Sequence, residues 1–331
     1  MKNYDNFLVT GGAGFIGSHL VKRLVRMKKN VGVIDNFSRG SMRNLAPVAD
    51  KITIYNKDLT REDGLKQIFS HYNIVFNLAA LNTGVDFDMG RTEVMFEQNM
   101  LLQMIPLRVA ARVGNITDFI QVSSASVYSR EAMEKEVPTP ETADTYNPEP
   151  SKLGYALAKL MGENLAHWYA TNTGLRTVIA RFINVYGQND HFDDLGHFIP
   201  MMTRKIIEAD KQVVVFGSGK QKRSYIFVDD VVDALIFLLE KGQNGQVYNV
   251  DAEQEKSVAQ VVKMICQILR KNPQLIFDLS KPEGSQRRLL DCSKINDLGW
   301  RAKTDFSDGL VRTVRDIKRR LSCRCPQHST S

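Results

Sequence analysis

Two residues with complementary chemistry, Tyr155 and Lys159, stand four positions apart at the start of a stretch with helical apolar spacing. Residues four apart lie on one face of a helix, so the ammonium would stand one turn beyond the phenol. A free phenol has a pKa of about 10 and is a poor base at neutral pH, but nearby positive charge favours the phenolate and lowers that pKa. The pair could then accept a proton from an alcohol. Because Tyr and Lys also fall four apart by chance, a merely packed helix is the alternative.

A group of serines, Ser123, Ser124 and Ser126, stands where an apolar strand-like segment ends. The carboxyl ends of parallel strands form the ligand-binding edge of an open sheet. A hydroxyl at Ser124 could there orient the oxygen that loses its proton. The structural alternative is a polar exit from strand to loop, because serine is common in turns.

A glycine-rich run covers residues 9–17, Val-Thr-Gly-Gly-Ala-Gly-Phe-Ile-Gly, between a strand-like segment and a segment with helical spacing. This order predicts a pyrophosphate cradle, because glycine lets the backbone approach a phosphate and the helix N-terminus offers free N–H groups. Asp35 follows about 20 residues downstream, where a carboxylate accepts hydrogen bonds from an adenosine ribose. Asp35 favours NAD because it would repel a 2′-phosphate, although Arg39 and Arg43 could hold one. A tight structural turn is the alternative.

The elements that must position these residues alternate along the chain as short apolar strands and helical stretches. Strands are predicted at residues 7–10, 31–35, 52–55, 74–78, 119–123, 177–181 and 247–250, and helices at 93–111 and 155–171. Runs rich in Val and Ile without polar alternation are typical of parallel strands buried on both faces. The predicted fold class is therefore α/β, a doubly wound parallel sheet of Rossmann type with a smaller C-terminal lobe.

The predicted domain organisation has three parts. Residues 1–185 form an NAD-binding domain, residues 186–320 mainly a substrate-binding lobe, and residues 321–331 a flexible tail. From about residue 186 the pattern becomes irregular and rich in Gly and Pro, which indicates a lobe packed over the C-terminal edge of the sheet. Segments near residues 225–262 are expected to return to the Rossmann core.

The composition of the 331 residues, 43% hydrophobic and 24% charged, is that of an ordinary soluble protein. The chain shows no apolar run near the length of about 18 residues that a membrane span needs and no signal-peptide layout, so we expect a cytoplasmic location. The four cysteines, Cys266, Cys292, Cys323 and Cys325, form no metal pattern and are expected to be free thiols. The net charge is +7, and much of the excess positive charge lies near the C-terminus. A solvated helix face is the favoured explanation there, over a surface that binds nucleic acid.

The glycine loop, Asp35, Ser124 and the pair Tyr155/Lys159 occur in the order typical of one family. The chain resembles the extended short-chain dehydrogenase/reductase family, in particular its NAD-dependent nucleotide-sugar epimerases and dehydratases, over residues 6 to 318. Further matching segments are residues 58–59, 77–80, 181–187, 223–230, 287–291 and 298–300, together with Asn99.

The resemblance implies a set of residues for the cofactor and a set for a nucleotide-sugar substrate. Expected NAD-binding residues are Gly11, Gly14, Phe15, Ile16, Gly17, Asp35, Asn36, Asp58, Leu59, Leu78, Ala79, Ala80, Asn99, Tyr155 and Lys159. Expected substrate-binding residues are Ser124, Asn184, His197, Arg223, Arg287 and Arg288. Asn184, Arg223 and one of Arg287/Arg288 would hold the diphosphate, since guanidinium groups grip phosphate oxygens in bidentate fashion. A surface ion pair is the alternative for each arginine.

The resemblance also implies a first step, in which Tyr155 takes a proton from a sugar hydroxyl while a hydride passes from the same carbon to NAD⁺. Ser124 would bond the same oxygen, and Lys159 would hold the nicotinamide ribose. Dehydratases of the family carry an Asp–Glu pair directly after the catalytic Ser or Thr. Ala125 and Ser126 stand there in this chain, and neither is an acid or a base near neutral pH. We therefore expect an epimerase that acts at C4 of a UDP- or GDP-hexose through a transient keto-sugar.

A second resemblance leaves other reactions open. Residues 196–200 and 281–291 are similar to GDP-fucose synthase and GDP-mannose 3,5-epimerase, which use a Cys and a His or Lys as a second acid/base pair. His197 falls at the His position, but Ser126 stands where the Cys would be. A serine hydroxyl is a far weaker base than a thiol with a pKa of about 8.5, and His197 could instead be a loop residue bonded to substrate or backbone. A reductase or 3,5-epimerase of GDP- or dTDP-keto-sugars is therefore the alternative, and a non-catalytic dinucleotide sensor a distant one.

A homodimer is a further implication of the resemblance, because family members often pair through the helix after strand four and the helix that bears the Tyr. The first helix would contribute Met95, Phe96, Met100, Leu101, Met104 and Leu107. An internal core is an equally good explanation for these side chains.

Overall fold

The computed structural model describes residues 5–82, 90–194, 196–281 and 284–322. Its strands are β1 (Asn6–Thr10), β2 (Asn30–Asp35), β3 (Thr53–Asn56), β4 (Ile74–Asn77), β5 (Asp118–Ser124), β6 (Arg176–Phe182), β7 (Val185–Tyr186), β8 (Gln212–Phe216), β9 (Lys222–Ser224), β10 (Ile226–Phe227), β11 (Gln246–Val250), β12 (Glu255–Ser257), β13 (Gln274–Asp278) and β14 (Arg287–Arg288).

Seven of these strands form one parallel sheet in the spatial order β3-β2-β1-β4-β5-β6-β11. The chain leaves β1 toward β2 and β3 and then crosses back to β4 on the other side of β1. This reversal opens a crevice at the carboxyl ends of β1 and β4, where open α/β sheets bind ligands. The side chains of the central strands are buried on both faces because helices cover the sheet on both sides.

The helices are α1 (Phe15–Arg26), α2 (Met42–Leu45), α3 (Leu65–Phe69), α4 (Thr92–Val113), α5 (Arg130–Lys135), α6 (Leu153–Asn172), α7 (Phe198–Glu208), α8 (Val228–Lys241), α9 (Val258–Leu269), α10 (Ser293–Asp297) and α11 (Phe306–Ser322). Short 3₁₀ turns span Ala46–Lys51, Ala125–Val127 and Pro150–Lys152.

Two hydrophobic cores lie on opposite faces of the main sheet. Phe7 and Val9 of β1 pack with α1 and α8 on one face, whereas Leu8 between them packs with α3, α4 and α6 on the other. The split follows from strand geometry, because successive side chains of a strand point to opposite faces. The helix α6, which carries the predicted catalytic pair, therefore lies against the sheet beside α4.

A third core joins the segments that follow β6. Small sheets pair β7 with β10, β8 with β13, and β9 with both β12 and β14. Their apolar side chains pack with α7, α9 and α11 around Tyr186, Phe227 and Phe306. α8 and β11 pack instead on the main sheet, through side chains such as Leu235 and Val250.

The doubly wound α/β fold is confirmed. The seven predicted strands are the seven strands of the main sheet, and the two predicted helices are α4 and α6, each element within two residues of its expected ends. Of the predicted tail, Leu321 and Ser322 belong to α11, and residues 323–331 lie outside the described residues. The division into two domains stays a prediction.

Candidate active site

A cleft of about 1330 Å³ runs along the carboxyl ends of the sheet strands. Its walls come from the turn after β1, from the ends of β2, β4, β5 and β6, and from the first turns of α6 and α7. Because these elements are far apart in sequence, the cleft brings together most of the residues singled out by their type and spacing.

The glycine loop leaves room at the floor of the cleft that side chains would fill. A Cβ on Gly17 would lie 2.2 Å from the carbonyl oxygen of Gly11, and a Cβ on Gly11 would lie 2.9 Å from the backbone of Ala79. Gly11 also has a φ of +65°, which favours glycine. Gly14 is the N-cap of α1. Because it has no side chain to cap the helix, the first N–H groups of α1 stay open to the cleft. The loop therefore fits a dinucleotide pyrophosphate.

Asp35, the last residue of β2, places its carboxylate beside this loop. Its Oδ2 accepts a hydrogen bond from the backbone N–H of Ala13 at 2.9 Å, and its Oδ1 accepts one from Phe37 at 2.9 Å. Burial raises the pKa of Asp35, while the two N–H groups oppose that rise. Arg39 is paired with Asp193 at 3.2 Å, which gives this arginine an anionic partner within the protein. The arrangement fits an adenosine ribose and favours NAD.

The remaining predicted cofactor residues fall into two groups. Phe15, Ile16, Asn36, Asp58, Leu59, Leu78, Ala79 and Ala80 line the cleft. Asn99 lies behind it: its amide donates to the carbonyls of Leu81 and Met95 and its Oδ1 accepts from the N–H of Leu81. Asn99 thus shapes the loop after β4 from the side of α4.

Tyr155 and Lys159 lie on the same side of α6 and face the cleft, where Ser124 ends β5. The Lys159 ammonium is 5.7 Å from the centre of the Tyr155 ring. It donates to the carbonyl of Val122 at 2.7 Å and to Oε1 of Gln103 at 3.3 Å. Burial lowers the pKa of Lys159 to about 7, against the attraction of Glu163. The spacing of four therefore does place an amine beside a phenol, and both side chains are buried.

Ser124 and Ser126 form a small hydroxyl pair. Ser124 Oγ lies 3.2 Å from Ser126 Oγ and accepts a hydrogen bond from the N–H of Ser126. Glu149, which enters the same part of the cleft, donates its N–H to the carbonyl of Ser126. Burial favours the neutral form of this carboxyl, but the charges of Arg288 and Arg130 and a hydrogen bond from Ser151 outweigh it and lower the pKa of Glu149.

His197 lies at the opposite wall, and its two ring nitrogens have different partners. Nδ1 is 3.2 Å from both carboxylate oxygens of the buried Asp190, and Nε2 is 3.2 Å from the amide nitrogen of Asn82. The Oδ1 of Asn82 accepts from the Lys152 ammonium at 2.8 Å, so its NH₂ must face the histidine. Nε2 then accepts a hydrogen bond, and Nδ1 carries the ring proton toward Asp190.

Three of the four predicted diphosphate-binding residues line the cleft, and the fourth lies outside it. Asn184, Arg223 and Arg288 line the cleft. Asn184 has a φ of +31° and donates its amide to the carbonyl of Ser224 at 2.8 Å, which links it to the strand that carries Arg223. The Nε of the largely buried Arg288 has no hydrogen-bond partner among the described residues. Arg287 points away from the cleft and makes a bidentate pair with Glu255 at 2.7 and 2.6 Å.

The cleft contains functional groups that the sequence reasoning missed, namely Asn82, Asp190, Glu149 and Lys152. Lys152 stands one turn before Tyr155, and this spacing could have predicted a second lysine on the cleft side at the start of α6. Asn82 and Asp190 lie in irregular loops without any spacing relation to their partners. Only the folded chain brings them to His197.

Within the described parts of the chain, no three His, Cys, Asp or Glu side chains are arranged to hold a metal ion. None of the helices described is long and apolar enough to cross a bilayer. Cys266 and Cys292 are buried free thiols.

Comparison with known proteins finds a matching family model and several relatives. The NAD dependent epimerase/dehydratase family model matches residues 7–251. A trifunctional UDP-glucose 4,6-dehydratase/UDP-4-keto-6-deoxy-D-glucose 3,5-epimerase/UDP-4-keto-L-rhamnose-reductase from Arabidopsis thaliana is 31% identical over 93% of this chain, which spans 46% of that enzyme's length. A probable GDP-L-fucose synthase from Oryza sativa subsp. japonica is 27% identical over 93% of this chain and 90% of its own.

A solved structure extends the similarity to the whole fold. UDP-glucose 4-epimerase from Thermotoga maritima, determined with UDP-glucose, superimposes with a TM-score of 0.85 at 30% identity, over 96% of this chain and 99% of that one. Similar chains have been solved with NAD bound. With a family model that matches most of the sheet and a cleft that fits a dinucleotide, this chain belongs to the NAD-dependent epimerase/dehydratase family of nucleotide-sugar enzymes.

Proposed function

We propose that this protein is a nucleotide-sugar epimerase that inverts C4 of a UDP- or GDP-hexose through a transient keto-sugar. The observation that carries the proposal is the cleft wall on which Tyr155, Lys159 and Ser124 lie together, followed by two residues, Ala125 and Ser126, without an acidic group. Inversion at C4 needs one base to remove and return a proton, whereas 4,6-dehydration needs a further acid and base. The UDP-glucose 4-epimerase of similar fold supports this choice.

Bound NAD would supply a reversible acceptor for the hydride of the sugar carbon. The chain's own residues would handle the proton: the Tyr155 phenolate takes it from the 4-hydroxyl and later gives it back. Lys159 favours the phenolate through its positive charge, 5.7 Å from the ring. Ser124 Oγ, whose partner is the hydroxyl of Ser126 at 3.2 Å, would donate to the sugar oxygen.

The substrate would lie across the cleft with its diphosphate between Arg223, Arg288 and Asn184. Arg288 has an unpartnered Nε among the described residues, and a phosphate oxygen would satisfy it. The nucleoside would then extend beyond Arg223 into an adjoining pocket that contains Phe216 and Lys205. The Lys205 ammonium stands 5.2 Å from the centre of the Phe216 ring, so an aromatic base could stack near a positive charge.

A product assay in D₂O tests the proposal. Purified protein with added NAD⁺ is incubated with a panel of UDP- and GDP-hexoses, and the products are separated and weighed by mass spectrometry. A C4 epimerase yields the C4 epimer without solvent deuterium on carbon, because the hydride returns to the carbon it left. Tyr155→Phe should abolish this turnover, and Tyr146→Phe, which changes an exposed phenol, should not. No epimer from any sugar, or full activity of Tyr155→Phe, would refute the proposal.

A 3,5-epimerase or reductase is the second candidate, and the contacts of His197 favour it. The buried Asp190 orients the ring so that Nε2 is an acceptor, which is the form a general base needs. The similarity to a GDP-L-fucose synthase points the same way, whereas Ser126 offers only a weak partner acid. Solvent deuterium at C3 or C5 of a keto-sugar nucleotide, lost in His197→Gln, would decide for this reaction. Consumption of NADPH would mark the reductase.

We also propose that two copies pair through α4 and α6. Leu153, Met161 and Trp168 of α6 and Val94 of α4 have exposed apolar side chains. Within the described part of the chain, this helix pair therefore presents apolar surface to the outside. Met95 and Leu107, which the sequence suggested for such an interface, are buried in the chain itself. Trp168→Glu should convert a dimer to a monomer in light scattering, whereas Leu279→Glu, at an exposed site elsewhere, should not. A wild-type monomer would overturn this proposal.

A further inference from the structure

Glu163 is a buried carboxylate one helical turn beyond Lys159, and no step proposed above uses it. It is 5% exposed. Its Oε1 accepts hydrogen bonds from the hydroxyl of Ser123 and from Nε of Arg181, the latter at 2.9 Å, and its Oε2 accepts from Nη2 of Arg181 at 2.6 Å. A buried carboxylate that makes a bidentate pair with an arginine is expected to matter for its surroundings.

The contacts of α6 with β5 suggest a geometric role. Lys159 donates to the carbonyl of Val122 at 2.7 Å, and the next strand residue, Ser123, donates to Glu163. Two consecutive residues of β5 are thereby hydrogen-bonded to two consecutive turns of α6. The Tyr155 phenol at the start of α6 and the Ser124 hydroxyl at the end of β5 face the same cleft. These two hydrogen bonds therefore fix the distance between the phenol and the hydroxyl.

The charges around Lys159 suggest an electrostatic role. The neighbour on α4 is the neutral Gln103, and the neighbour on β5 is a backbone carbonyl. On α6 the neighbours are Tyr155 and Glu163, and β6 contributes Arg181 on the far side of the carboxylate. Burial lowers the pKa of Lys159, and Glu163 is the group that opposes this. Without that negative charge the amine would lose its proton at a lower pH.

We propose that Glu163 is a positioning residue for Tyr155 and Lys159, which fixes α6 on β5 and places a negative charge one helical turn from the Lys159 ammonium. Arg181 and Ser123 hold the carboxylate in the orientation that this role needs. The inference rests on the proposed function, in which a charged Lys159 favours the phenolate.

The first test compares the Glu163–Arg181 ion pair with a second ion pair at the other end of β6. Glu163→Gln should lower kcat by about tenfold or more with little change in KM, and the alkaline limb of the kcat–pH profile should move to lower pH. Glu163→Asp, which keeps the negative charge, should show the alkaline limb at the same pH as wild type. The control is Asp118→Asn, which breaks the pair of Asp118 with Arg176 where β5 and β6 begin. It should lower thermal stability and leave both kcat and the pH profile unchanged.

The second test needs no turnover and so separates this inference from the proposed function. Urea unfolding of the cofactor-free protein is measured from pH 5 to 10 for wild type, Glu163→Gln, Lys159→Met and the double variant. Because the folded pKa of Lys159 lies below its unfolded pKa, stability falls as pH falls between the two values. In Glu163→Gln the free energy of unfolding should keep decreasing down to a lower pH than in wild type. In the Lys159→Met background, Glu163→Gln should no longer change this pH dependence.

Either of two results would overturn the inference. One is a Glu163→Gln effect on stability with the same pH dependence in both Lys159 backgrounds. The other is an active Glu163→Gln enzyme with an unmoved alkaline limb. If the wild type epimerises no sugar, the proposed function fails, and the unfolding cycle still decides on the role of Glu163.

Discussion

Replacing Lys159 with Met should make the folded protein more stable and remove its activity. The side chain is 1% exposed, and burial lowers its pKa from 10.5 to about 7. That change of about 3.5 corresponds to about 5 kcal/mol of unfavourable free energy for the buried charge, at about 1.4 kcal/mol per pKa unit. Methionine has similar length and no charge, but it leaves the carbonyl of Val122 without this donor, at a cost of about 1–3 kcal/mol. A net stabilisation of about 2–4 kcal/mol is therefore expected at pH 6.

The pH dependence of this gain follows from the direction of the pKa change. In wild type the unfolded chain takes up the lysine proton near pH 10.5, whereas the folded chain takes it up near pH 7. Wild-type stability therefore declines as pH falls from about 10 to about 7 and levels off below. Lys159→Met lacks this decline, so its advantage over wild type is largest at pH 6 and gives way near pH 10 to a small deficit from the lost hydrogen bond.

Urea unfolding of the cofactor-free proteins at pH 6, 8 and 10 measures the effect, with equal m-values as the condition for comparing midpoints. Turnover of the same variant should fall by about a hundredfold or more, since an unassisted phenol is a poor base. The reasoning is refuted if Lys159→Met gains no more stability at pH 6 than at pH 10. It is also refuted if Lys159→Met is as active as wild type.

Two further predictions concern the glycine loop and a buried acid. Gly17→Ala would place a methyl group 2.2 Å from the carbonyl oxygen of Gly11. The affinity for NAD, measured by calorimetry, should therefore fall about tenfold or more. The control Gly174→Ala, whose new methyl group would have no atom within 4 Å, should bind NAD like wild type. Equal affinities would contradict a tight cradle. Burial raises the pKa of Asp251 from 3.8 to about 6, so wild-type stability should decline by about 3 kcal/mol as pH rises between these values. Asp251→Asn should abolish that decline in thermal melts from pH 3 to 8, and an unchanged slope would show that other groups cause it.

Much of the fold was predictable from the sequence because its signals are local. A strand buried on both faces needs a run of apolar β-branched residues, and each of the seven runs identified became a strand of the main sheet. The glycine loop was equally recognisable, since close backbone approach tolerates no side chain at Gly17. Tyr155 and Lys159 share one helix, so their spacing alone placed the amine beside the phenol.

The remaining features depend on contacts between distant segments, which no local pattern encodes. Arg287 and Arg288 are neighbours in sequence, yet one pairs with Glu255 outside the cleft and the other lines it, because alternate residues of a strand point in opposite directions. The partner of His197 is Asp190, in an irregular loop. Local sequence determines which elements form and which residues share a helix face or a turn. The tertiary structure alone decides which charges meet in a buried place, because that depends on how the elements pack.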